Sequence, residues 1–284
     1  MNKNFLKGLV TTAMLATLVI GTISISEAEE NKDLNKSDFS IGEKIIVEEY
    51  DIKDNYYIID YKKGDVTGDD KEDDILLVGH KINGKEDIFA DDLTVLVKDS
   101  DDGFKKATYK DFAGYSGNLF VGDFTGDKID DVMVSADTGG SGGIIEHMIA
   151  VFTEENSKVI FDNEDNEGLQ IKAKFEDDFK AEVEIEELKK TIKLDISAGK
   201  DDYIEQGIYD DSGELLQKIE PWMNPISLAE PVYNPIEEKY ELRAYQRIVG
   251  SCNADTISYM EERWSYNDED WDLTELKYHT YIVK

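Results

Sequence analysis

The sequence lacks most of what braces a small exported protein. Its one cysteine, Cys252 in 284 residues, leaves no intrachain disulfide open. Stability must then come from a large core or from bound metal. The thiol itself reads as a small buried hydrophobe, since free cysteine is among the most buried residue types. Basic residues are also scarce: 31 Lys and Arg stand against 64 acidic residues, for a net charge of −33. That balance argues against nucleic acid and anionic membrane, which require clustered Lys and Arg. The three histidines, His80, His147 and His279, stand alone without metal-ligand spacing and read as surface or strand residues. All four prolines lie between Pro221 and Pro235, so no strand elsewhere is interrupted by one. No long apolar run follows residue 25, which implies a soluble product with no membrane insertion once the N-terminus is removed.

That N-terminus has the order of a secretory signal peptide. Lys3 and Lys7 precede an apolar stretch from Leu9 to Ile25, and the small residues of Ser26-Glu27-Ala28 follow. The expected cut is after Ala28, giving a bacterial-type extracellular protein. Residues 29–40 are polar and aperiodic, and read as a disordered leader.

From Glu43 onward the pattern is β. Ile45-Ile46-Val47, Tyr56-Tyr57-Ile58-Ile59, Ile75-Leu76-Leu77-Val78, Leu93-Thr94-Val95-Leu96-Val97 and Leu119-Phe120-Val121 are short runs bounded by turn formers. Leu169–Phe175, Ala181–Ile185 and Ile192–Ile196 alternate apolar with polar residues, as strands with one wet face do. Asp210-Asp211-Ser212-Gly213 and Asn267-Asp268-Glu269-Asp270 read as hairpin turns. Helical candidates are few, chiefly Glu186-Glu187-Leu188-Lys189-Lys190. The expected fold is all-β, with repeats over 41–220, a Pro-rich connection over 221–236 and a C-terminal β segment over 237–284 that continues the same fold.

One motif occurs twice. Gly64-Asp65-Val66-Thr67-Gly68-Asp69-Asp70-Lys71-Glu72-Asp73 is matched by Gly122-Asp123-Phe124-Thr125-Gly126-Asp127-Lys128-Ile129-Asp130-Asp131, 58 residues on. Calcium takes six to eight oxygens at about 2.3–2.6 Å, and a tight loop offers them at alternate positions. Asp65, Thr67, Asp69, the Lys71 carbonyl and Asp73 form one candidate set; Asp123, Thr125, Asp127, the Ile129 carbonyl and Asp131 form the other. Zinc would call for imidazole or thiolate, and neither loop has either. The alternative is a pair of Asp-rich turns held by side-chain-to-backbone bonds. Like-charge repulsion within each loop favours a cation. Counted back from the following strands, Asp74 rather than Asp73 aligns with Asp131, so the ninth-position ligand of the first loop is open. The extra acids Asp70, Glu72 and Asp74 make the first loop the expected tighter site.

Over roughly 43–135 these loops and their flanking strands resemble FG-GAP and VCBS repeats of integrin-type β-propellers. The resemblance implies a propeller-like array of short antiparallel sheets with calcium-binding loops, and binding of an extracellular protein or glycan. Thr67 and Thr125 stand where the pattern has Asn or Asp, and Asp70 and Lys128 stand where it has glycine. These departures imply weaker sites.

Gly139-Gly140-Ser141-Gly142-Gly143 fits a hydrolase elbow, but the residues after it read as a strand where a true elbow leads into a helix. A turn is the expected role, and no catalytic residue is assigned. Paired carboxylates offer no choice without distances. Trp222, Trp264 and Trp271 suit either sugar stacking or core packing. A secreted hydrolase with structural calcium and a structural envelope or spore-surface component remain the alternatives.

Overall fold

The computed structural model describes residues 39–99, 103–153, 156–267 and 269–279. The expected signal peptide, and all of the leader but residues 39 and 40, lie outside the described residues. The first half of the chain builds two four-stranded antiparallel meanders. In the first, β1 (Tyr56–Gly64), β2 (Asp73–His80), β3 (Phe89–Asp99) and β4 (Gly103–Ala107) pair in order. In the second, β5 (Gly114–Gly122), β6 (Asp131–Asp137), β7 (Ile145–Val151) and β8 (Lys158–Phe161) do the same. Phe89 and Ala90 of β3 also pair with Tyr115 and Gly114 of β5, joining the eight strands into one sheet.

A three-stranded sheet follows, from β9 (Ile171–Glu176), β10 (Lys180–Ile185) and β11 (Lys190–Asp195), and then the short helix α1 (Lys200–Glu205). The last sheet holds β12 (Trp222–Met223), β13 (Leu228–Asn234), β14 (Lys239–Val249), β15 (Thr256–Tyr266) and β16 (Trp271–His279). The strand pairings are antiparallel throughout the described residues. The chain is therefore mostly antiparallel β.

Four local expectations change. Ile45-Ile46-Val47 forms no strand, with one isolated bridge from Val47 to Ile52: Ile45 and Val47 are buried as a cover over β2, while Ile46 points outward. Glu186–Lys189 is the turn of the β10–β11 hairpin and Lys190 begins β11, with Lys189 in the left-handed region at φ 50°. Five residues are too few to repay helix nucleation there. Within the Pro-rich stretch, Leu228–Asn234 pairs with β14 instead of forming a bare connection. Proline is tolerated because β13 is an edge strand. Cys252 is exposed, in a turn closed by Gly250 N–H to Asp255 O and Asp255 N–H to Cys252 O, both 2.8 Å.

The apolar runs of β2 and β6 become central strands with both faces covered. Ile75 and Leu77 share one core with Val132, Val134, Val95 and Phe112. Leu76 and Val78, on the opposite face of β2, pack under Ile45, Val47 and Ile52. Met133, on the opposite face of β6, packs against Leu242, Ala244 and Trp271 of the last sheet. A fully buried Leu, Ile or Val contributes about 1.5–3 kcal/mol. The exposed pairs on β9–β11, such as Lys174–Glu182 at 3.1 Å and Lys193–Glu176 at 2.9 Å, are screened by solvent and add little. Burial thus decides this fold.

A core over β6 shared with β2 requires the eight-stranded sheet to curl. β1 comes back against β5, where Leu119 N–H donates to Asp60 Oδ2 at 2.8 Å. His147 of β7 ties this sheet to the last one. Its Nε2 accepts from Ala229 N–H of β13 at 3.0 Å, so Nδ1 carries the proton, 2.8 Å from Ser135 Oγ.

Burial pushes the His147 imidazole down to about 3 from its ordinary 6.5. A depressed value holds the neutral form in the folded state, so its stabilisation is complete above about 6.5 and is lost as pH falls toward about 3. Urea unfolding at about pH 7 and about pH 4.5 should show the wild type losing about 2 kcal/mol more than His147→Gln. Equal losses would clear the imidazole of the acid sensitivity.

Candidate metal centre

Each acidic loop leaves the first strand of a meander and enters the second, between the paired residues Gly64 and Asp73 in one and Gly122 and Asp131 in the other. The two follow the same path bond for bond. Asp65 Oδ1 accepts from Gly68 N–H at 2.7 Å and Oδ2 from Asp70 N–H at 2.9 Å. Asp123 does the same with Gly126 at 2.5 Å and Lys128 at 2.9 Å. Asp69 Oδ1 takes Lys71 N–H at 3.0 Å, as Asp127 Oδ1 takes Ile129 N–H at 2.9 Å.

Position four is Gly68 or Gly126, at φ 79° and 86°, and position six is Asp70 or Lys128, at φ 65° and 73°. The missing glycine at position six therefore leaves the turn unchanged, at about 1–2 kcal/mol for a side chain held left-handed. At position nine, Asp73 Oδ2 accepts from Val66 N–H and Thr67 N–H at 3.0 and 3.1 Å. Asp131 Oδ2 accepts from Phe124 N–H and Thr125 N–H at 2.8 and 3.0 Å. The loops are thus equal in length, and Asp73 is the counterpart of Asp131. Asp74 instead takes the Tyr61 hydroxyl and lies 3.7 Å from Lys63 Nζ.

The loops also touch. Because β1 lies against β5, the loops that follow these strands are neighbours, and Asp130 N–H donates to Asp65 O at 3.3 Å. Gly68 packs so closely on Ile129 that a Cβ would come within 2.6 Å of its side chain. The second loop leans in turn on the last sheet, where Tyr240 N–H donates to Asp123 O at 2.6 Å. A Cβ on Gly122 would meet the Tyr240 ring at 2.7 Å, so that approach needs glycine.

Charge accumulates at this junction. Burial lifts the Asp131 carboxyl to about 7, against the pull of the Phe124 and Thr125 amides, and Asp123 and Asp127 add repulsion. Burial raises Asp130 as well, with Asp123 and Asp65 adding to it. Asp73 is raised by burial against the Val66 and Thr67 groups. Asp69 is held low by Lys71, whose Nζ lies 3.0 Å from it.

The donor set suits a hard cation. Each carboxylate oxygen that accepts one amide keeps a further lone pair. Thr67 Oγ1 and Asp73 Oδ1 are buried and face each other outside hydrogen-bonding geometry, so each has capacity in hand. Thr125 differs, its hydroxyl engaged with Asp123 Oδ1 at 3.3 Å. Among the described residues no three Asp, Glu, His or Cys side chains converge closely enough to hold a metal as they stand. Cation binding would therefore draw the carboxylates inward from their capping positions.

Ser141 lies in the loop between β6 and β7, and a strand follows it, which is not the strand-to-helix path of a nucleophile elbow. A pairing that sequence could not signal is Ser135 with His147, adjacent across β6 and β7. It presents the protonated nitrogen to the hydroxyl, the wrong tautomer for a general base. His80 pairs with Asp91 at 2.7 Å, and His279 lies 3.4 Å from Glu261.

The family model described as the YybI C-terminal domain matches residues 169–279, the stretch from β9 to β16. A Bacillus subtilis (strain 168) protein with the name "Uncharacterized protein YybI" is 34% identical over 214 residues, 75% of this chain and 80% of that protein. That alignment is longer than the segment after residue 168, so it includes part of the meanders. No solved structure matches.

Asp131 gives a test of the site without metal. Its raised carboxyl contributes fully below the usual carboxylate range and loses that contribution as pH rises through about 7. In chelator at about pH 8, Asp131→Asn should raise the unfolding free energy by about 1–3 kcal/mol, a gain that shrinks by about pH 5. No gain at the higher pH would mean that the charge is already compensated.

Proposed function

The chain belongs to the YybI family, and from its paired loops we propose that it is an exported, calcium-loaded β-repeat protein that presents a binding surface to an extracellular protein or glycan. The observation that carries this reading is the shared amide-to-carboxylate path of two loops 58 residues apart, with oxygen donors at positions one, three, five and nine of each. Turns alone need no such repetition of side chains. Calcium matches the chemistry: carboxylates, a hydroxyl and a carbonyl, with no imidazole or thiolate. A divalent ion would also offset the burial cost, and the repulsion added to it, that raise Asp130 and Asp131.

Two four-stranded meanders, each with its acidic loop between first and second strands, support a propeller-like reading of residues 56–161. Export rests on the N-terminal pattern. Among the described residues no helix is long and apolar enough to cross a membrane.

An ion bound only by the folded state, present at a hundred times its dissociation constant, stabilises by about 2.7 kcal/mol per site. For a domain of this size that is a rise of about 5–10 °C in Tm for one site. Calcium should therefore raise the melting temperature over chelator by at least that much, and magnesium by less. Asp65→Ala and Asp123→Ala should each remove about one calcium from the stoichiometry. The site left in Asp123→Ala should be the tighter. A melting curve indifferent to calcium, with both variants binding as the wild type does, would reduce the loops to turns.

A further inference from the structure

The turn over residues 162–168 faces the β15–β16 hairpin across a cavity of about 180 Å³. It is lined by the aromatic residues Phe161, Trp264 and Trp271, by the acidic residues Glu164, Asp165 and Asp270, and by Gly168 and Ile226. The aromatics are fixed in place. Trp271 donates its indole N–H to Ile160 O at 2.6 Å and meets Phe161 edge-on at 5.5 Å. Trp264 donates its N–H to Glu262 Oε2 at 2.8 Å. Glu262 is fully buried and does not line the cavity.

Two of the acids accept from nearby backbone amides. Asp165 Oδ2 accepts from Asp162 N–H, and Asp270 Oδ1 from Trp271 N–H, each at 2.8 Å. No basic side chain among the described residues pairs with Glu164, Asp165 or Asp270. Burial raises the Asp165 carboxyl to about 6 against the Asp162 amide, and the raising charges beside it are Asp162, Asp270 and Glu164.

From this geometry we propose that the cavity is a binding site for a small organic ammonium ion, distinct from the acidic loops. The lining residues supply carboxyl acceptors and aromatic side chains, and both indole donors are already engaged. A ligand that only donates and carries positive charge fits them; an ammonium group has three donors and no acceptor. Ring faces add cation–π attraction, about 0.5–2 kcal/mol as desolvation increases. A sugar hydroxyl would find acceptors but leave the charge uncompensated. The volume lies below the roughly 300–1,000 Å³ of pockets for drug-sized ligands, which suits the head of an amine.

The test is a titration of ¹⁵N-labelled protein with propylammonium chloride at constant ionic strength, read at the three tryptophan indole resonances. The Trp264 and Trp271 signals should shift saturably, and Trp222, on β12, should not move. 1-Propanol should shift none of them. Asp165→Asn and Asp270→Asn should each weaken binding about fivefold or more. Glu164→Gln, at an exposed position that does not threaten folding, should weaken it in the same direction by a smaller factor. Affinity in calcium and in chelator should agree. The proposal falls if shifts fail to saturate, if 1-propanol reproduces them, if all three indoles respond alike, or if binding is unchanged in all three variants.

Discussion

The curl of the eight-stranded sheet governs the rest of the structure. Two meanders laid out flat would keep β1 and β5 apart, since β2 and β3 stand between them in the sheet. Burial of Ile75 and Leu77 in the same core as Val132 and Val134 bends the sheet until β1 meets β5. Strand twist makes such curling cheap, and shared burial makes it favourable. The loops that follow these two strands are neighbours as a direct result. The last sheet then supports the second loop through Tyr240, so a side-chain packing preference in one half of the chain positions acidic groups contributed by both repeats.

That arrangement carries an electrostatic load. Asp131 and Glu262 are both raised to about 7 by burial, and Asp165 to about 6. None of the three has a basic partner among the groups that shift it. Buried carboxyls of this kind cost stability as pH rises and they ionise. His147 works in the opposite direction, as a buried neutral ring whose Nε2 joins two sheets while its Nδ1 engages Ser135 of the neighbouring strand. Its demand for neutrality and the carboxyls' preference for protons act against each other across mildly acidic pH, which narrows the range in which the fold is most stable.

Much of the secondary structure was legible because strands repeat every two residues and that period survives in the sequence. Ala181, Val183 and Ile185 of β10 point inward as their alternation implies, and the apolar runs of β2 and β3 are covered on both faces. The failures are at sites where a neighbour decides. Ile45-Ile46-Val47 has strand composition, yet packs as a cover because Leu76 and Val78 needed one. Helix α1 has few local signals and stands on burial of Tyr203 against Phe175 and Tyr209. Cys252 has the chemistry of a core residue but sits in a turn whose hydrogen bonds keep it outside.

The acidic loops divide the same way. Their existence, their spacing and the oxygen donors at positions one, three, five and nine are properties of the chain order, because a tight turn brings together residues only a few positions apart. The equivalence of Asp73 with Asp131, which the flanking residues left ambiguous, needed the amides of Val66 and Phe124 to be located. Their contact through Asp65 and Asp130 needed the curl of the whole sheet, and the meeting of Asp165 with Trp271 needed two sheets to dock. Local order determined which groups exist and how each turn closes; contacts between residues tens of positions apart depend on which apolar faces find each other, and only the folded core decided that.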